Sequence, residues 1–559
     1  MLLSNLDILA TAPGGGARLR ELILTLAVQG KLLPQDPADE PASELLKKIR
    51  AEKDRLIAEG KIKRDKALAE VADEEKPFEL PLGWEWVRLG SLIELLSGQH
   101  LGPTEYVEGL AGGVPYLTGP AEFGAESPAP TRSTRERRAI AVQGDILITV
   151  KGSGVGKLNL VTQPEIAISR QLMAIRPIGM NYRFLKLVLQ TMAVQFQLQS
   201  IGIAIPGIGR DDVALAVLAL PPLAEQSRIV TRVEELMRLC DALEAKGRLE
   251  AAQHAQLVST LLATLTDSAT PEALAAHWQR LATHFDTLLD RPSSLDALEQ
   301  TVLQLAVRGQ LVPQDPADEP ASVLLKHIRS EKDRLIATGQ IKRDKPLEPI
   351  TDDEKPFELP AGWEWARFGE VALISSGITL GRKTSIPSPV VLPYLRVANV
   401  QRWHLNLASI KEVAIDRSEL ERFQLADGDL LITEGGDWDK VGRTAIWRNE
   451  LPVCLHQNHV FKVRGTSLDW NPVWAELYLN SAIARSYFAS AAKQTTNLAS
   501  INSTQLKNCV FPLPPLAEQA RIVARVESLR RLCADLRQRL SASQTAQAQL
   551  AGALVREIS

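Results

Sequence analysis

Apolar residues recur along two long stretches of the chain at the spacing of a helix seam. The residues of the two stretches are Ile229, Val233, Leu236, Cys240 and Leu243, and then Ile522, Val526, Leu529, Cys533 and Leu536. The intervals alternate between four and three residues, which is the heptad pattern of helices that pack along a partner. We therefore predict two long helices, over 221–265 and 514–559, each on the order of 60 Å in length at ~1.5 Å per residue.

Such a seam needs a partner, and each helix offers the other one a matching apolar stripe. We expect the two helices to pack antiparallel as a rod that separates the segments attached to them. The alternative is ordinary packing of two helices within one globular core.

Shorter elements follow from local patterns. Residues 43–59 have an apolar helical stripe, with Ser43 as the predicted N-cap and Gly60 as the terminator. The run 146–150 is rich in β-branched residues and follows a glycine, so it predicts a strand, and similar short runs fill the interior segments. The chain therefore combines long helices with regions rich in strands, which is an α+β pattern.

An internal duplication organises these elements. Residues 29–90 recur 279 positions later at 308–369, and the block LPPLAEQSRIVTRVEEL from Leu220 recurs 293 positions later from Leu513. Between these frame blocks the copies agree only at intervals, as in Gly144-Asp145 and Gly428-Asp429. A duplicated frame around different interiors suits a protein that presents two different readers on one symmetric support.

Composition limits the protein class. At 559 residues the chain requires two or more domains, and 45% hydrophobic with 23% charged residues is typical of globular proteins. No apolar run approaches the roughly 20 residues of a membrane helix, and the N-terminus has no signal-peptide pattern, so we expect a cytoplasmic protein. The four cysteines form no CxxC pair, which argues against a disulfide scaffold or a cysteine zinc cluster.

The net charge of −3 argues against nucleic-acid binding, because Lys and Arg drive contact with phosphates. The acidic residues, however, concentrate in the frame, as at Asp36, Asp39 and 73–75, while the interiors are slightly basic. Modest basicity predicts weak DNA binding by the chain alone, with partner proteins supplying further phosphate contacts.

Three segments resemble enzymatic motifs but do not match them fully or lie in an unsuitable context. The glycine loop 152–158 lacks the first Gly and the final Ser or Thr of a phosphate loop. In 454–459 the two histidines would point to opposite faces of a strand, with no fourth metal ligand nearby. The ExK-like 74–76 and its copy 353–355 lie in charged connectors. We predict no catalytic residue and no metal site in this chain.

The frame blocks resemble the specificity subunit of type I restriction–modification systems. LPLGWEWVRLG at 80–90 and LPAGWEWARFG at 359–369 are similar to the opening of a target recognition domain, GDILIT and GDLLIT to its central strand, and LPPLAEQxRIVxRVExL to its exit into a spacer helix. The resemblance runs from about residue 80 to the C-terminus. It implies an α+β fold with two β-rich target recognition domains joined by two long antiparallel conserved helices, as a pseudo-twofold tandem repeat.

The resemblance also implies a division of the chain and a set of partners. The expected segments are an N-terminal helical arm 1–79, a first reader 80–220, a spacer helix 221–265, a linker with a repeated helical arm 266–358, a second reader 359–513 and a spacer helix 514–559. Each reader would bind one half of an asymmetric, interrupted double-stranded DNA site, and the helices would set the gap. Two modification subunits using S-adenosylmethionine and two restriction subunits using ATP and Mg²⁺ would hold all cofactors, with none in this chain.

Candidate DNA-binding residues are the polar and basic side chains of the interior loops, since Arg, Lys, Asn, Gln, Ser and Thr make most contacts to phosphates and base edges. Those of the first reader are Arg132, Arg135, Arg137, Arg138, Lys151, Ser153, Lys157, Ser169, Arg170 and Gln171. Those of the second are Arg396, Asn399, Glu434, Trp438, Lys440, Arg443, His456, Gln457, Asn458, His459, Thr495, Thr496 and Asn497. Glu434 is included because a carboxylate can accept a hydrogen bond from cytosine N4.

Three rival functions remain at this point. The interiors could bind protein instead of DNA, although their Arg, Gln and Asn loops favour DNA. The chain could be a fused DNA methyltransferase or nuclease, against which the missing motifs argue. It could also serve a methylation-only or phage-exclusion system, which the sequence does not separate from a restriction system.

Overall fold

The chain divides into two units with the same plan. The first comprises Met1–Leu249 and Gln544–Ser559, and the second Glu250–Ser543. The computed structural model describes residues 12–64, 66–110, 113–200, 207–381, 386–436, 440–467, 469–495 and 498–558. None of the helices in these ranges is long and apolar enough to cross a membrane.

The first unit contains an arm of two helices, a reader rich in strands, the first part of one long helix and the C-terminal end of the other. The helices are α1 Gly15–Val28, α2 Ala42–Ala58, α3 Tyr182–Thr191, α4 Ala193–Gln199, α5 Arg210–Ala214 and α6 Leu223–Thr266. The strands are β1 Glu85–Arg88, β2 Ile93–Ser97, β3 Tyr106–Glu108, β4 Val114–Leu117, β5 Arg132–Thr134, β6 Ile140–Val142, β7 Ile146–Thr149, β8 Leu158–Leu160, β9 Glu165–Ile168, β10 Leu172–Pro177 and β11 Val217–Leu220.

The second unit repeats this order. Its helices are α7 Pro271–Thr283, α8 Phe285–Leu288, α9 Pro292–Val307, α10 Ala321–Ala337, α11 Phe368–Val371, α12 Leu420–Phe423, α13 Pro472–Leu479, α14 Ala482–Ala491, α15 Ser503–Asn508 and α16 Leu516–Ile558. Its strands are β12 Glu364–Arg367, β13 Ala372–Ser376, β14 Pro389–Leu395, β15 Lys411–Asp416, β16 Leu430–Thr433, β17 Gly435–Gly436, β18 Thr444–Ile446, β19 Leu455–His456, β20 Val460–Gly465, β21 Lys493–Thr495, β22 Leu498–Ser500 and β23 Val510–Leu513.

Both readers are built on a four-stranded antiparallel sheet. Its order is β2-β10-β7-β8 in the first reader and β13-β20-β16-β18 in the second. A further sheet follows in each, β3-β5-β4-β9-β6 and β15-β14-β19, and both contain one parallel pair, β4 with β9 and β14 with β19. Two-stranded pairs, β1-β11 and β12-β23, join the entry of each reader to its exit. The α+β class is therefore confirmed.

The repeated Gly-Asp pairs have a structural role in the four-stranded sheets. Asp145 is buried, accepts from the backbone N–H of Val142 at 2.9 Å and is paired with Arg176 at 2.8 Å. Asp429 makes the same kind of pair with Arg464, at 2.6 Å. The preceding Gly144 has φ 91°, a left-handed conformation that favours glycine. The motif recurs because this turn and ion pair begin the central strand of each reader.

The other repeated motifs hold the arm, the reader entry and the long helix together. The indole Nε1 of Trp84 donates to Glu225 at 2.9 Å, and Gln35 Nε2 donates to the other oxygen of that carboxylate at 3.2 Å. Arg228, one turn along α6, donates to Asp39 at 3.1 Å. Residues far apart in sequence thus form one polar cluster around the buried Trp84 and Glu225, which explains why PQDPADE, GWEW and LAEQxR are repeated together.

The seam positions lie in cores that also contain the arm helices, and the antiparallel packing of the two long helices on each other stays a prediction. Ile229, Val233, Leu236 and Cys240 are buried in the core of the first unit, in one cluster with α1, and Leu243 is half-buried. The second set lies in the core of the second unit, with α9; Ile522, Val526 and Cys533 are buried there, and Leu529 and Leu536 are partly buried. A heptad pattern indicates that a helix has a partner, and in each unit the arm helix packs into the same core as the seam.

Ion pairs confirm these arm contacts, with the charges reversed between the units. In the first unit Arg20 of α1 pairs with Glu244 and, at 2.6 Å, with Asp241 of α6. In the second unit the arginine is on the long helix, where Arg537 pairs with Asp296 at 2.7 Å and with Glu299 at 3.2 Å. By the repeat offsets, Glu299 corresponds to Arg20 and Arg537 to Glu244.

The bounds of the predicted helices are close to those observed. The long helices end at Thr266 and Ile558, as expected, and each begins just after a proline. Gly60 follows α2 in the left-handed region, which confirms it as the terminator. The N-cap prediction was wrong: α2 begins at Ala42 with Pro41 as N-cap, because the Ala42 N–H is already bound by Gly83 O at 2.8 Å.

A buried carboxyl makes the stability of the second unit depend on pH. Burial raises the pKa of Glu476, on α13, to about 7 from its ordinary 4.5. The folded unit therefore keeps a proton that the unfolded chain releases between those values, and the free energy of unfolding falls as the pH rises from 4.5 to 7. We expect Glu476→Gln to match the wild type at pH 4.5 and to exceed its free energy of unfolding at pH 8 by up to about 3 kcal/mol.

Urea unfolding at the two pH values measures this difference. Glu412→Gln, which removes an exposed carboxylate of the same unit, is the control and should shift neither value. Equal free energies of unfolding for Glu476→Gln and wild type at pH 8 would contradict the prediction.

Candidate nucleic-acid interface

Loops from several strands of the first reader meet at one edge of its sheets. Ser169, after β9, donates its N–H to Leu117 O at 3.0 Å, at the end of β4. Val150, after β7, donates to Gln171 O at 2.8 Å. These hydrogen bonds bring Lys151 and the rest of the 151–157 loop beside Arg170 and Gln171. The structure thus gathers the candidates Lys151, Ser153, Lys157, Arg170 and Gln171, which we call surface 1.

Surface 1 is exposed and positively charged. All five of its side chains are exposed. Lys151, Lys157 and Arg170 form no ion pair within the described part of the chain, so their charges are available to an anionic partner. Gly152 has φ 92° and open space at its missing Cβ, so the loop backbone can approach a ligand closely. Such a combination suits contact with phosphates and base edges.

The arginine cluster of the first reader is mostly neutralised. Arg132 donates to Glu108 at 2.7 Å, and its guanidinium also lies over the ring of Tyr106. Arg137 pairs with Glu165 at 2.6 Å, and Arg138 pairs with Glu105. Arg135 is exposed and has no such pair within the described residues. The four arginines therefore present much less net positive charge than their sequence indicates.

The second reader brings the corresponding loops together with the same backbone hydrogen bonds. Gln457 donates its N–H to Leu395 O at 2.9 Å, and Glu434 donates to His459 O at 3.0 Å. We call Glu434, Arg443, Gln457, Asn458 and His459 surface 2. Strands β21 and β22 form a hairpin on Gly435-Gly436, so the segment of Thr495 is joined to this edge.

Surface 2 differs in chemistry from surface 1. Glu434 Oε2 lies 2.6 Å from His459 Nδ1, so a carboxylate acceptor and an imidazole lie side by side on this surface. Arg443 donates to Gln401 Oε1 at 2.6 Å, and Lys440 is half-buried close to the backbone of Gly436. Surfaces 1 and 2 have the same backbone arrangement but different side chains, so they are suited to different sequences in a ligand.

Three predicted contacts belong to the protein interior instead, and a fourth is half-buried. His456 is fully buried, with Nδ1 2.8 Å from Val460 O, and burial lowers its pKa to about 4. Asn399 is buried and donates to Asn406 O at 2.8 Å. Ser169 is buried and donates to Thr118 O. Arg396 is half-buried and donates to Ser409 O at 2.8 Å. His456, Asn399 and Ser169 are corrected because strand-end positions in the sequence do not reveal burial.

Three candidates fall outside the described residues. They are Trp438, Thr496 and Asn497. For Thr495 the structure describes the backbone but not the side chain.

The two ExK-like connectors have structural roles. Glu75 is paired with Arg88 at 2.5 Å, and Glu354 with Arg367 at 2.7 Å, so both connectors are tied to a reader's first strand. Arg367 lowers the pKa of Glu354 to about 2. In the described ranges, no three His, Cys, Asp or Glu side chains are grouped so that they could hold a metal ion.

Sequence reasoning missed two segments at these edges. Gly207 forms an antiparallel β-bridge with Lys151, and the N–H of Ile208 donates to Val150 O at 3.0 Å. Both contacts place 207–208 next to surface 1. The loop Gln401-Arg402-Trp403 reaches Arg443 of surface 2. For 401–403 the available signal was a polar and aromatic run a few residues after β14, whereas 207–208 had no such signal.

Comparison with known proteins gives consistent matches. A family model described as the type I restriction modification DNA specificity domain matches residues 81–254 and 360–543. The type I restriction enzyme EcoAI specificity subunit of Escherichia coli is 37% identical, over 97% of this chain and 93% of that protein. The EcoEI specificity subunit of Escherichia coli is 35% identical over the same shares. A solved chain of a type I R-M system is 19% identical, with a TM-score of 0.48, over 86% of this chain and 99% of that chain.

Proposed function

Since this chain belongs to the family of type I restriction enzyme specificity subunits, we propose that its two readers bind the two halves of an asymmetric, interrupted DNA site. The first reader binds one half through surface 1, and the second binds the other half through surface 2. The long helices α6 and α16 fix the gap between the halves.

One observation carries this proposal. The two edges share their backbone hydrogen bonds, as in Val150 to Gln171 and Glu434 to His459, while their side chains differ in charge and hydrogen-bonding pattern. A common frame holds both loops in the same geometry, and different donors and acceptors select different base edges. This arrangement suits binding to an asymmetric, bipartite DNA site.

The chemistry is assigned to partner proteins. Two modification subunits using S-adenosylmethionine and two restriction subunits using ATP and Mg²⁺ methylate or cleave the DNA that this chain selects. The modest positive charge of surface 1 and the mixed charge of surface 2 support weak DNA binding by the chain alone, because few phosphates would be neutralised. The same surfaces would serve a methylation-only system equally well, and co-purification of a restriction subunit distinguishes the two.

Replacing residues 91–217 tests the modular assignment. We expect a chain carrying the corresponding reader of a relative with another specificity to change one half of the methylated site, because the second reader and the helices are intact. Mapping of methylated sites in cells that contain this chain and its partners is the measurement. A change in both halves, or in the gap, would contradict the proposal.

The purified chain is the control for the absence of chemistry. It should transfer no methyl group from S-adenosylmethionine and cut no DNA with ATP and Mg²⁺, whereas the complex with its modification subunits should methylate the mapped site. Turnover by the chain alone would instead favour a fused methyltransferase or nuclease.

A further inference from the structure

Trp403 lies in the loop after β14 in a strained backbone conformation. Its φ is 69°, and it is one of two non-glycine residues with positive φ in the described part of the chain. A bulky side chain rarely adopts this left-handed conformation, which persists only where surrounding contacts determine it. Contacts on both sides of Trp403 account for it here.

The first contact comes from the long helix α16. The guanidinium of Arg530 lies over the Trp403 ring, 3.7 Å from its centroid. Arg530 is half-buried, and desolvation lowers its pKa. A cation over an indole binds most strongly when it is removed from water, and Trp is the best of the aromatic partners. The backbone N–H of Trp403 is also bound, to Thr444 O at 3.1 Å in β18.

The second contact lies at the other end of the same short loop. Gln401, two residues before Trp403, accepts a hydrogen bond from Arg443 Nη1 at 2.6 Å. Arg402, between them, donates to Asn480 Oδ1 at 3.4 Å, just after α13. Three consecutive residues thus connect the long helix, the reader core and an arginine of surface 2.

We infer that Arg530 is a positioning residue for the second reader: through Trp403 it fixes the 401–403 loop, and Gln401 in turn orients Arg443 toward DNA. This inference rests on the proposed function of surface 2. It makes the long helix part of the reading geometry as well as the connection between readers.

The repeat shows that this contact is particular to the second reader. By the offset of 293, Met237 of α6 occupies the position of Arg530. The first reader is tied to its long helix differently, through Arg183 of α3 and Glu234 at 2.8 Å. Arg530→Met therefore gives the second unit the side chain that the first unit already has there.

The test uses the full chain in complex with its modification subunits and DNA duplexes that carry the mapped site. Further duplexes have base changes in one half or the other, with the halves assigned by the reader exchange. We expect Arg530→Met to weaken binding of the cognate duplex about tenfold. Discrimination should fall only in the half read by the second reader, because Arg443 loses its orientation while surface 1 is unchanged.

Three further variants make the inference specific. Arg530→Lys keeps a cation over the ring and should recover most of the discrimination. Gln401→Ala breaks the other end of the loop and should reproduce the half-site loss. The double variant Arg530→Met with Gln401→Ala should be no worse than either single change, since both act through one loop. Met237→Ala is the matched control and should leave the second half-site unaffected.

Two results would overturn the inference. One is wild-type discrimination by Arg530→Met in both halves, and the other is an equal loss in both halves that Arg530→Lys does not restore. If urea unfolding shows that Arg530→Met destabilises the unit, Gln401→Ala decides: a half-site loss supports the inference and wild-type discrimination overturns it. A wild-type complex without preference for any half-site would instead contradict the proposed function itself.

Discussion

Replacing Trp363 with alanine is expected to lower the free energy of unfolding of the second unit by about 3–5 kcal/mol. The indole is 5% exposed and packs edge-on against Trp474, with ring centroids 5.5 Å apart. Its Nε1 donates to Glu518 at 2.9 Å, and burial already raises the pKa of that carboxyl. Alanine would leave a cavity and also remove a donor from a buried acceptor, and both effects destabilise the unit.

Urea unfolding measures this loss, and Trp365→Ala is the matched control. Trp365 is two residues away, is half-buried and packs against Phe357 with ring centroids 5.0 Å apart, so its removal should cost about 1–2 kcal/mol. In the complex, Trp363→Ala should weaken recognition of the half-site bound by the second reader more than recognition of the other half-site. The reason is that the entry strand β12 and the helix α16 lose the contact that holds them together. Equal losses from both substitutions would show that the Trp363–Glu518 contact adds nothing beyond ordinary packing.

Replacing Leu236 with aspartate is the second change with a large expected effect. Leu236 is 8% exposed on the face of α6 that packs with α1. A carboxylate there would be buried without a partner, and we expect a loss of about 3–5 kcal/mol in the free energy of unfolding of the first unit. The arm would separate from the long helix, and the preference for one gap between half-sites should broaden.

Leu239→Asp on the same helix controls for the new charge. Leu239 is 42% exposed, so an aspartate there stays in water and should change the free energy of unfolding by less than about 0.5 kcal/mol. Unfolding in urea and methylation of duplexes with altered gaps measure the two effects. If Leu236→Asp keeps the wild-type gap preference despite its lower stability, the contact between arm and helix has no part in setting the gap.

Features that depend on neighbouring residues or on exact repetition could be predicted from the sequence. The long helices followed from the heptad spacing and the prolines before Leu223 and Leu516, since both are local signals. The duplication identified the frame, because two copies retained the same contacts while the readers between them diverged. The meeting of the loops after β7 and β9 was predictable to the extent that both lie at strand ends.

Which of these residues contact one another became clear only from the folded chain. A heptad pattern requires a partner and does not name it, so the arm helices were missed as partners of the seams. The arginine at 137 looked available, but its charge is paired with Glu165, which lies 28 residues away in sequence and next to it in space. His456 and Asn399 looked like exposed loop side chains, but both are buried in the folded second unit. Burial and ion pairing depend on residues that folding brings together, and the linear sequence does not specify that proximity.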